Sequence, residues 1–247
     1  MLLILMYHKI SESSEPDRLP AFREHLIDLK KRFAIVTPGD PTPSGKLAIC
    51  LTFDDAYYDF YHHVYPLLKE LDLKAVLAIP TAYIVENTEV NSDERLAVPY
   101  PDGLSTYASV QQHAPFCTWA ELREMVNSKR VYPASHSHTH ANLCDATTHL
   151  QAEISDAKAL LEAQLHTPID TFVYPYGRMN AAVHKAVREQ HRFGLRIGAG
   201  LNMDWDAPKG LLYRVNADPL WMHRKKITTG FLLKSGFNCV INRLSVK

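Results

Sequence analysis

Short apolar runs alternating with helical patterns constrain this chain more than any other feature. Leu2–Met6, Leu47–Phe53, Ala75–Ile79, Val131–Ala134, Thr171–Tyr174 and Gly194–Ile197 are too short for helices of their own and read as buried strands. Between them, Phe22, Leu26, Leu29 and Phe33 recur at three- and four-residue steps, an amphipathic helix over Phe22–Phe33. Further helices are predicted over Tyr61–Leu71, Thr118–Ser128, Thr148–Leu165 and Ala181–His191. The third opens on Thr118 with Glu121 three residues on, a capping box, and the fourth puts Leu150, Ile154, Ala157, Leu161 and Leu165 on one face. Strand alternating with helix is the signature of parallel β/α units around a buried sheet or barrel, since a parallel pair needs a crossover long enough to hold a helix. Sites in such folds lie at the carboxyl ends of the strands. Residues 86–117, rich in Asn, Ser, Asp, Pro and Gly, break the rhythm and read as an irregular insertion.

The residues just past those strand ends carry the chemistry. Thr52-Phe53-Asp54-Asp55 leaves the second strand with two adjacent carboxylates, which point to different sides and can do different jobs. Alone, the pair is more simply a helix N-cap followed by a first-turn acid. Ser135-His136-Ser137-His138-Thr139-His140 follows the fourth strand with three histidines in five residues, in a chain that has 13. Imidazole with carboxylate is a donor set for a borderline ion such as Zn²⁺, and His136 and His140, four apart, can reach one ion. A polar loop of hydrogen-bonded histidines is the plainer alternative; two such clusters at neighbouring strand ends favour metal. Phe172-Val173-Tyr174-Pro175-Tyr176-Gly177 runs from strand into a tight turn whose backbone amides could face a developing oxyanion, or which simply ends the strand.

These three segments, in this order, resemble the polysaccharide deacetylases, carbohydrate esterase family 4. The start, Leu5-Met6-Tyr7-His8-Lys9-Ile10, and Phe22-Arg23-Glu24-His25-Leu26-Ile27-Asp28-Leu29-Lys30 resemble the branch containing poly-N-acetylglucosamine deacetylases. The resemblance runs from Leu2 to about Ile197. It implies a distorted (β/α) barrel of about seven parallel strands in a single domain over residues 1–247. It implies Asp55, His136 and His140 as ligands of a divalent metal, zinc first, with Co²⁺ and Ni²⁺ as alternatives. Asp54 becomes the general base on the metal-bound water, the Tyr176 amide joins in holding the oxyanion, and His138 stands beside the ligands or at the surface. Pro175, Tyr176, Trp205 and Arg214 are expected around the substrate.

The chain also departs from the family pattern. Ala56 stands where a Gly usually follows the acid pair, and Val173 where an Arg often orients the base. Arg214 is a candidate for the missing Arg. Asp204-Trp205 is what survives of the family's Asp-Trp motif, although Asn202-Met203 before it fits poorly, and the motif that supplies the general acid is not recognisable after residue 210. His8, just past the first strand, and then His223 are the replacements.

The leading expectation is a metal-dependent hydrolase that removes acetyl from an N-acetylated amino sugar of a cell-envelope polysaccharide or its precursor. The alternatives are an amidohydrolase of a small, lipid-linked or nucleotide-linked sugar, or a sugar-binding relative that has lost activity.

Composition narrows the partners. With 46% apolar and 22% charged residues the chain is globular in type, and its 27 basic residues match its 27 acidic ones, so no global field draws it to nucleic acid. The balance is uneven: residues 221–247 carry Arg224, Lys225, Lys226, Lys234, Arg243 and Lys247 and no acid. A solvated face on a final helix and strand that close the barrel is the first reading of this segment; weak, salt-sensitive contact with an anionic membrane surface is the second. Met1–Tyr7 is apolar but short and lacks a basic start, so the expected location is cytoplasmic, or membrane-associated or periplasmic if a signal has been removed. Cys50, Cys117, Cys144 and Cys239 are scattered, which favours buried, reduced thiols over a disulfide framework.

Overall fold

The computed structural model describes residues 1–10, 18–98, 110, 112–206 and 210–245. Eight strands form among these residues: β1 (Leu2–Tyr7), β2 (Ala34–Ile35), β3 (Ala48–Phe53), β4 (Ala75–Ile79), β5 (Val131–Ser135), β6 (Thr171–Val173), β7 (Phe193–Ile197) and β8 (Leu211–Asn216). Their pairings are all parallel in the order β1-β8-β7-β6-β5-β4-β3-β2, and β1 also pairs with β3. That last pairing closes a barrel of seven strands, as the resemblance implied. The two-residue β2 lies outside the ring, against the first residues of β3 (Ala34 opposite Ala48), while β4 pairs with its last two.

Two strands escape the sequence reading. β2 is too short to leave a pattern. β8 carries Arg214 in its middle, a charge that hides a buried strand, yet it is β8 pairing with β1 that completes the ring.

The helices α1 (Arg18–Arg32), α2 (Tyr65–Glu70), α3 (Ser92–Ala97), α4 (Trp119–Asn127), α5 (Ala157–Leu165), α6 (Ala181–Gln190), α7 (Asp218–Met222) and α8 (Thr229–Ser245) follow in chain order. Both α2 and α5 are entered through π-helical turns, Phe60–Val64 and Gln151–Asp156. The predicted capping box of α4 forms: Thr118 Oγ1 accepts the Glu121 N–H at 3.2 Å and the Glu121 carboxylate accepts the Thr118 N–H at 2.7 Å.

The two-residue alternation of a strand divides the core. Leu3, Leu5, Ile49, Leu51 and Phe53 pack outward with α1, α2 and α4, whereas Leu2, Ile4, Ala48, Cys50, Val76, Ala78, Ala134, Val173, Leu195 and Leu212 fill the barrel interior. Continued upward, the inward set of β1 reaches His8, that of β3 Asp54 and that of β5 His136; on β8 it holds Arg214. The period that packs the barrel thus also aims its chemistry at one end.

The insertion is less irregular than expected. Residues 99–109 and 111 fall outside the described residues, but α3 precedes them, capped by Asn91, whose side chain accepts the Glu94 N–H at 3.0 Å. Buried Arg95 ties α3 down: it donates to the carbonyls of Ala114 and Phe116, both at 2.8 Å, pairs with Glu121 at 2.6 and 2.9 Å, and lies over the Tyr58 ring. A six-residue polar helix held by one arginine has no apolar period for sequence reading to find.

After β8 the described chain adds helices α7 and α8 and no further strand, so the expected closing strand is β8 itself, ahead of the basic segment. Acids of α1 meet part of that charge, Glu24 with Arg224 at 3.1 Å and Asp28 with Lys226 at 3.5 Å. Leu233 and Phe237 stand exposed on α8. No helix among the described residues is long and apolar enough to cross a membrane. Of the cysteines, Cys50, Cys117 and Cys239 are buried but Cys144 is exposed, which corrects the expectation for that residue; all are free thiols.

Candidate active site

At the carboxyl end of the barrel the loops after β3 and β5 meet. Asp55 Oδ1 lies 3.5 Å from Nε2 of both His136 and His140, and one donor atom from each of the three residues falls within 4.8 Å of the others. The two imidazole rings stand edge to face at 4.6 Å. His136 is buried, and its Nδ1 is 2.8 Å from the Val173 carbonyl. A carbonyl only accepts, so Nδ1 carries the proton and Nε2 presents its lone pair toward Asp55. Burial pushes the pKa of His136 and of His140 down to about 4, against the pull of Asp54. Both imidazoles are therefore neutral at pH ~7, the form that ligates a metal. Carboxylate plus two neutral imidazoles is a zinc-type donor set with room for a further ligand, so the residues present fit the ion that the sequence implied.

This convergence is held by unusual backbone. Asp55, Ala56, Ser137, His140 and Tyr176 all have positive φ, at 72°, 54°, 66°, 56° and 56°. Non-glycine residues in that region typically carry strain of ~1–2 kcal/mol each, and such positions gather where function requires them. Ala56 thus adopts the left-handed conformation for which a Gly is the easier residue.

Asp54 points into the barrel and is buried. Its two oxygens face a bidentate Arg214, Nη1 to Oδ1 at 2.6 Å and Nη2 to Oδ2 at 2.8 Å, with Nη1 also 3.1 Å from Thr52 Oγ1. Arg214 sits opposite Ile4 in the β1–β8 ladder, and Ile4 opposite Cys50, so the guanidinium reaches up from the barrel's middle layer. Burial alone would raise the Asp54 pKa; the Arg214 charge, then that of His136, outweigh it and hold the carboxyl well below the usual carboxylate range. Asp54 Oδ2 is 4.0 Å from His136 Nε2, beside the triad. Asp54 is thus paired with an arginine from β8, while Val173 contributes its carbonyl to His136.

His8 lies on the other flank. Its Nδ1 is 2.8 Å from Asp218 Oδ2 at the start of α7. Burial works to lower its pKa, but that hydrogen bond and the charges of Asp54, Asp218 and Asp55 raise it above 6.5. Exposed Tyr176 sets its ring 4.6 Å from that of His140. The turn's hydrogen bonds run from Gly177 N–H to Tyr174 and from Arg178 N–H to Pro175, at 3.0 and 3.1 Å, leaving the Tyr176 N–H outside them.

Three expected substrate contacts do not lie at a substrate surface. Arg214 has no exposed area and is spent on Asp54. Pro175 is buried and shapes the turn. Trp205 is at the wrong end: the loop from β7 to β8 descends past the Leu2–Asn202 bridge, and the indole packs inside the barrel against Phe193, the first residue of β7, at 5.6 Å. His223 is exposed at the end of α7. Sequence reasoning missed Asp218 and Glu153; the first follows a strand that was not recognised, and the second sits within an ordinary helical pattern.

A carboxylate and two histidines converge on one point as a group that could hold a metal ion, with a second, ionised carboxylate and His8 beside them. The polysaccharide deacetylase family model matches residues 42–195, more than half of the chain, and the chain belongs to that family, whose members are deacetylase hydrolases. YxkH of Bacillus subtilis (strain 168) is 27% identical over 231 residues, covering 88% of this chain and 72% of its own. The poly-beta-1,6-N-acetyl-D-glucosamine N-deacetylase of Escherichia coli (strain K12) is 28% identical over 185 residues, 63% of this chain but 25% of that enzyme, so this chain spans a quarter of it. Among solved structures, IcaB from Ammonifex degensii has the same fold, with a TM-score of 0.68, 22% identity and coverage of 90% of this chain and 94% of its own.

Proposed function

We propose that this protein removes the acetyl group from an N-acetylated amino sugar of a cell-envelope polysaccharide or its precursor, using a divalent cation held by Asp55, His136 and His140. The observation that carries the reading is the convergence of one donor atom from each of those residues within 4.8 Å, with ionised Asp54 alongside. The donor chemistry favours zinc. The named substrate of the Escherichia coli relative supports an N-acetylglucosamine polymer. When bound, the cation polarises the acetyl carbonyl and makes water more acidic.

The chain's own groups do the rest. Asp54 accepts a proton from the attacking water, and the Arg214 pair keeps its carboxylate ionised and aimed. The Tyr176 N–H donates to the oxygen that becomes negative as water adds. His8 gives its proton to the sugar nitrogen as the carbon–nitrogen bond breaks, so that acetate and a free amine leave. Asp218 holds His8 protonated until then.

The test is metal first, then product. Purified protein is expected to bind zinc stoichiometrically in a calorimetric titration and to release acetate from N-acetylglucosamine oligomers, with chelator abolishing release and zinc restoring it. Asp55→Asn and His140→Ala should each weaken zinc by more than the ~10–100-fold typical of a residue that merely supports a ligand. Undiminished turnover in metal-free protein sinks the proposal.

A second expectation concerns His8. His8→Ala should lower the rate on amide substrates by ~10²–10⁴-fold and leave an activated ester much less affected, because a good leaving group needs no proton. An acid must be protonated to act, so kcat/KM falls as pH rises through the His8 pKa. Asp218→Asn removes the charge that helps raise this pKa and turns the charge-assisted hydrogen bond into a neutral one, so the basic limb should move to lower pH. A limb that stays put in Asp218→Asn, or equal losses on both substrates in His8→Ala, assigns the proton to another group.

A further inference from the structure

The loop 136–140 must present two imidazoles to one point while Ser137 and His140 hold left-handed backbone, which persists only where the surroundings over-determine it. Hydrogen bonds strap the loop from two sides. From the turn after β4, the N–H groups of Thr81 and Ala82 donate to the carbonyls of Ser137 and His138 at 3.3 and 2.9 Å, and the Tyr83 hydroxyl donates to the Thr139 carbonyl at 3.0 Å. Thr81 Oγ1 and His138 Nδ1 are 2.8 Å apart, so His138 belongs to the strap rather than to the donor set. From the other side comes Glu153. The Glu153 carboxylate, 6% exposed, accepts the N–H of His138 and of Thr139 at Oε2, both at 2.9 Å, and the Thr139 hydroxyl at Oε1, at 2.6 Å.

We propose that Glu153 is the positioning residue that sets the spacing of His136 and His140 for the cation, acting through the backbone between them. The inference rests on the metal-binding reading above. A carboxylate suits the task because both oxygens accept: it takes two amides and a hydroxyl, three donors that face inward and would otherwise be left unpaired. Gln keeps one accepting oxygen and can serve the two amides, but its amide nitrogen forces the Thr139 hydroxyl to turn and accept. Ala serves none.

The experiment compares wild type, Glu153→Gln and Glu153→Ala by zinc titration, by the visible spectrum of the Co²⁺-loaded proteins and by amide hydrogen exchange of the metal-free proteins, with thermal melts to confirm folding. The Ala variant should bind zinc ~10–100-fold more weakly, the usual effect of losing a group that orients ligands, with Gln in between. The His138 and Thr139 amides should exchange faster in the Ala variant while strand amides stay protected, and the cobalt spectrum should shift. If the Ala variant fails to fold, the Gln variant carries the test through its smaller loss of affinity and altered spectrum. Wild-type affinity and spectrum in a folded Glu153 variant would overturn the proposal and leave the metal reading intact. Wild-type protein that binds no zinc, with the loop amides still opening in the Ala variant, would instead overturn the metal reading, and the assigned role with it.

Discussion

Asp54→Asn is expected to lower turnover of an N-acetylated amino sugar by ~10²–10⁴-fold while zinc affinity stays near the wild-type value. The two adjacent aspartates separate cleanly in the barrel. Asp54 continues the inward face of β3 and spends both oxygens on Arg214, whereas Asp55, turned by its positive φ, faces the histidines. An amide at position 54 has the same shape but accepts no proton, so it removes the base and keeps the donor set. It also sets an NH₂ group against one arm of the guanidinium. One charge-assisted hydrogen bond is lost and the buried Arg214 charge is left without its counter-charge, so stability should also fall, by ~3 kcal/mol. The measurement is therefore a set of three on one preparation: acetate release, zinc titration and chemical denaturation. Normal turnover would remove Asp54 as the base; lost zinc binding would move it into the donor set.

Much of this site is legible in the sequence, for a physical reason. Asp54, Asp55, His136 and His140 each lie within a few residues of a strand end, where an apolar run stops and polar residues begin, so chain-local pattern marks both place and chemistry. The interior strands announced themselves in the same way. What stayed hidden depends on partners distant in sequence. Arg214 interrupts an apolar run, and nothing local says that it is neutralised by an aspartate 160 residues away. Without that pairing β8 does not read as a strand, and with β8 unread, Asp218 at its exit has no reason to be noticed. Trp205 misled in the opposite sense: Asp204-Trp205 matches a familiar pair of letters, but the loop that carries it runs to the far mouth of the barrel. Glu153 lies on a helix whose apolar face was evident, and its value comes from which backbone amides the fold brings to it.

Arg214→Met should be the most destabilising single change considered, and its effect should depend on pH in a direction that identifies the cause. Arg214 has no exposed area and shares two hydrogen bonds with a buried carboxylate. Removing one partner of a buried pair leaves the other uncompensated, at a typical loss of ~3–5 kcal/mol. In the wild type the Asp54 pKa is depressed, so its contribution is present above the unfolded carboxyl pKa of ~4 and is lost as pH falls through the lower folded value. In the variant, burial acts with far less opposition and the folded pKa should rise above the unfolded one. Asp54 then destabilises the fold as pH climbs past ~4, and the gap between wild type and variant should widen from acid to neutral pH. The acid limb of any residual activity should move upward with the same pKa, since the base must be ionised to work. Asp54→Asn/Arg214→Met should lose less stability than the two single changes added together, because the double variant buries no unpaired charge. Denaturant titrations near pH ~4 and ~7 decide it. A gap that is constant with pH, or strict additivity in the double variant, would mean that Arg214 supports the barrel by packing alone and that something else keeps Asp54 ionised.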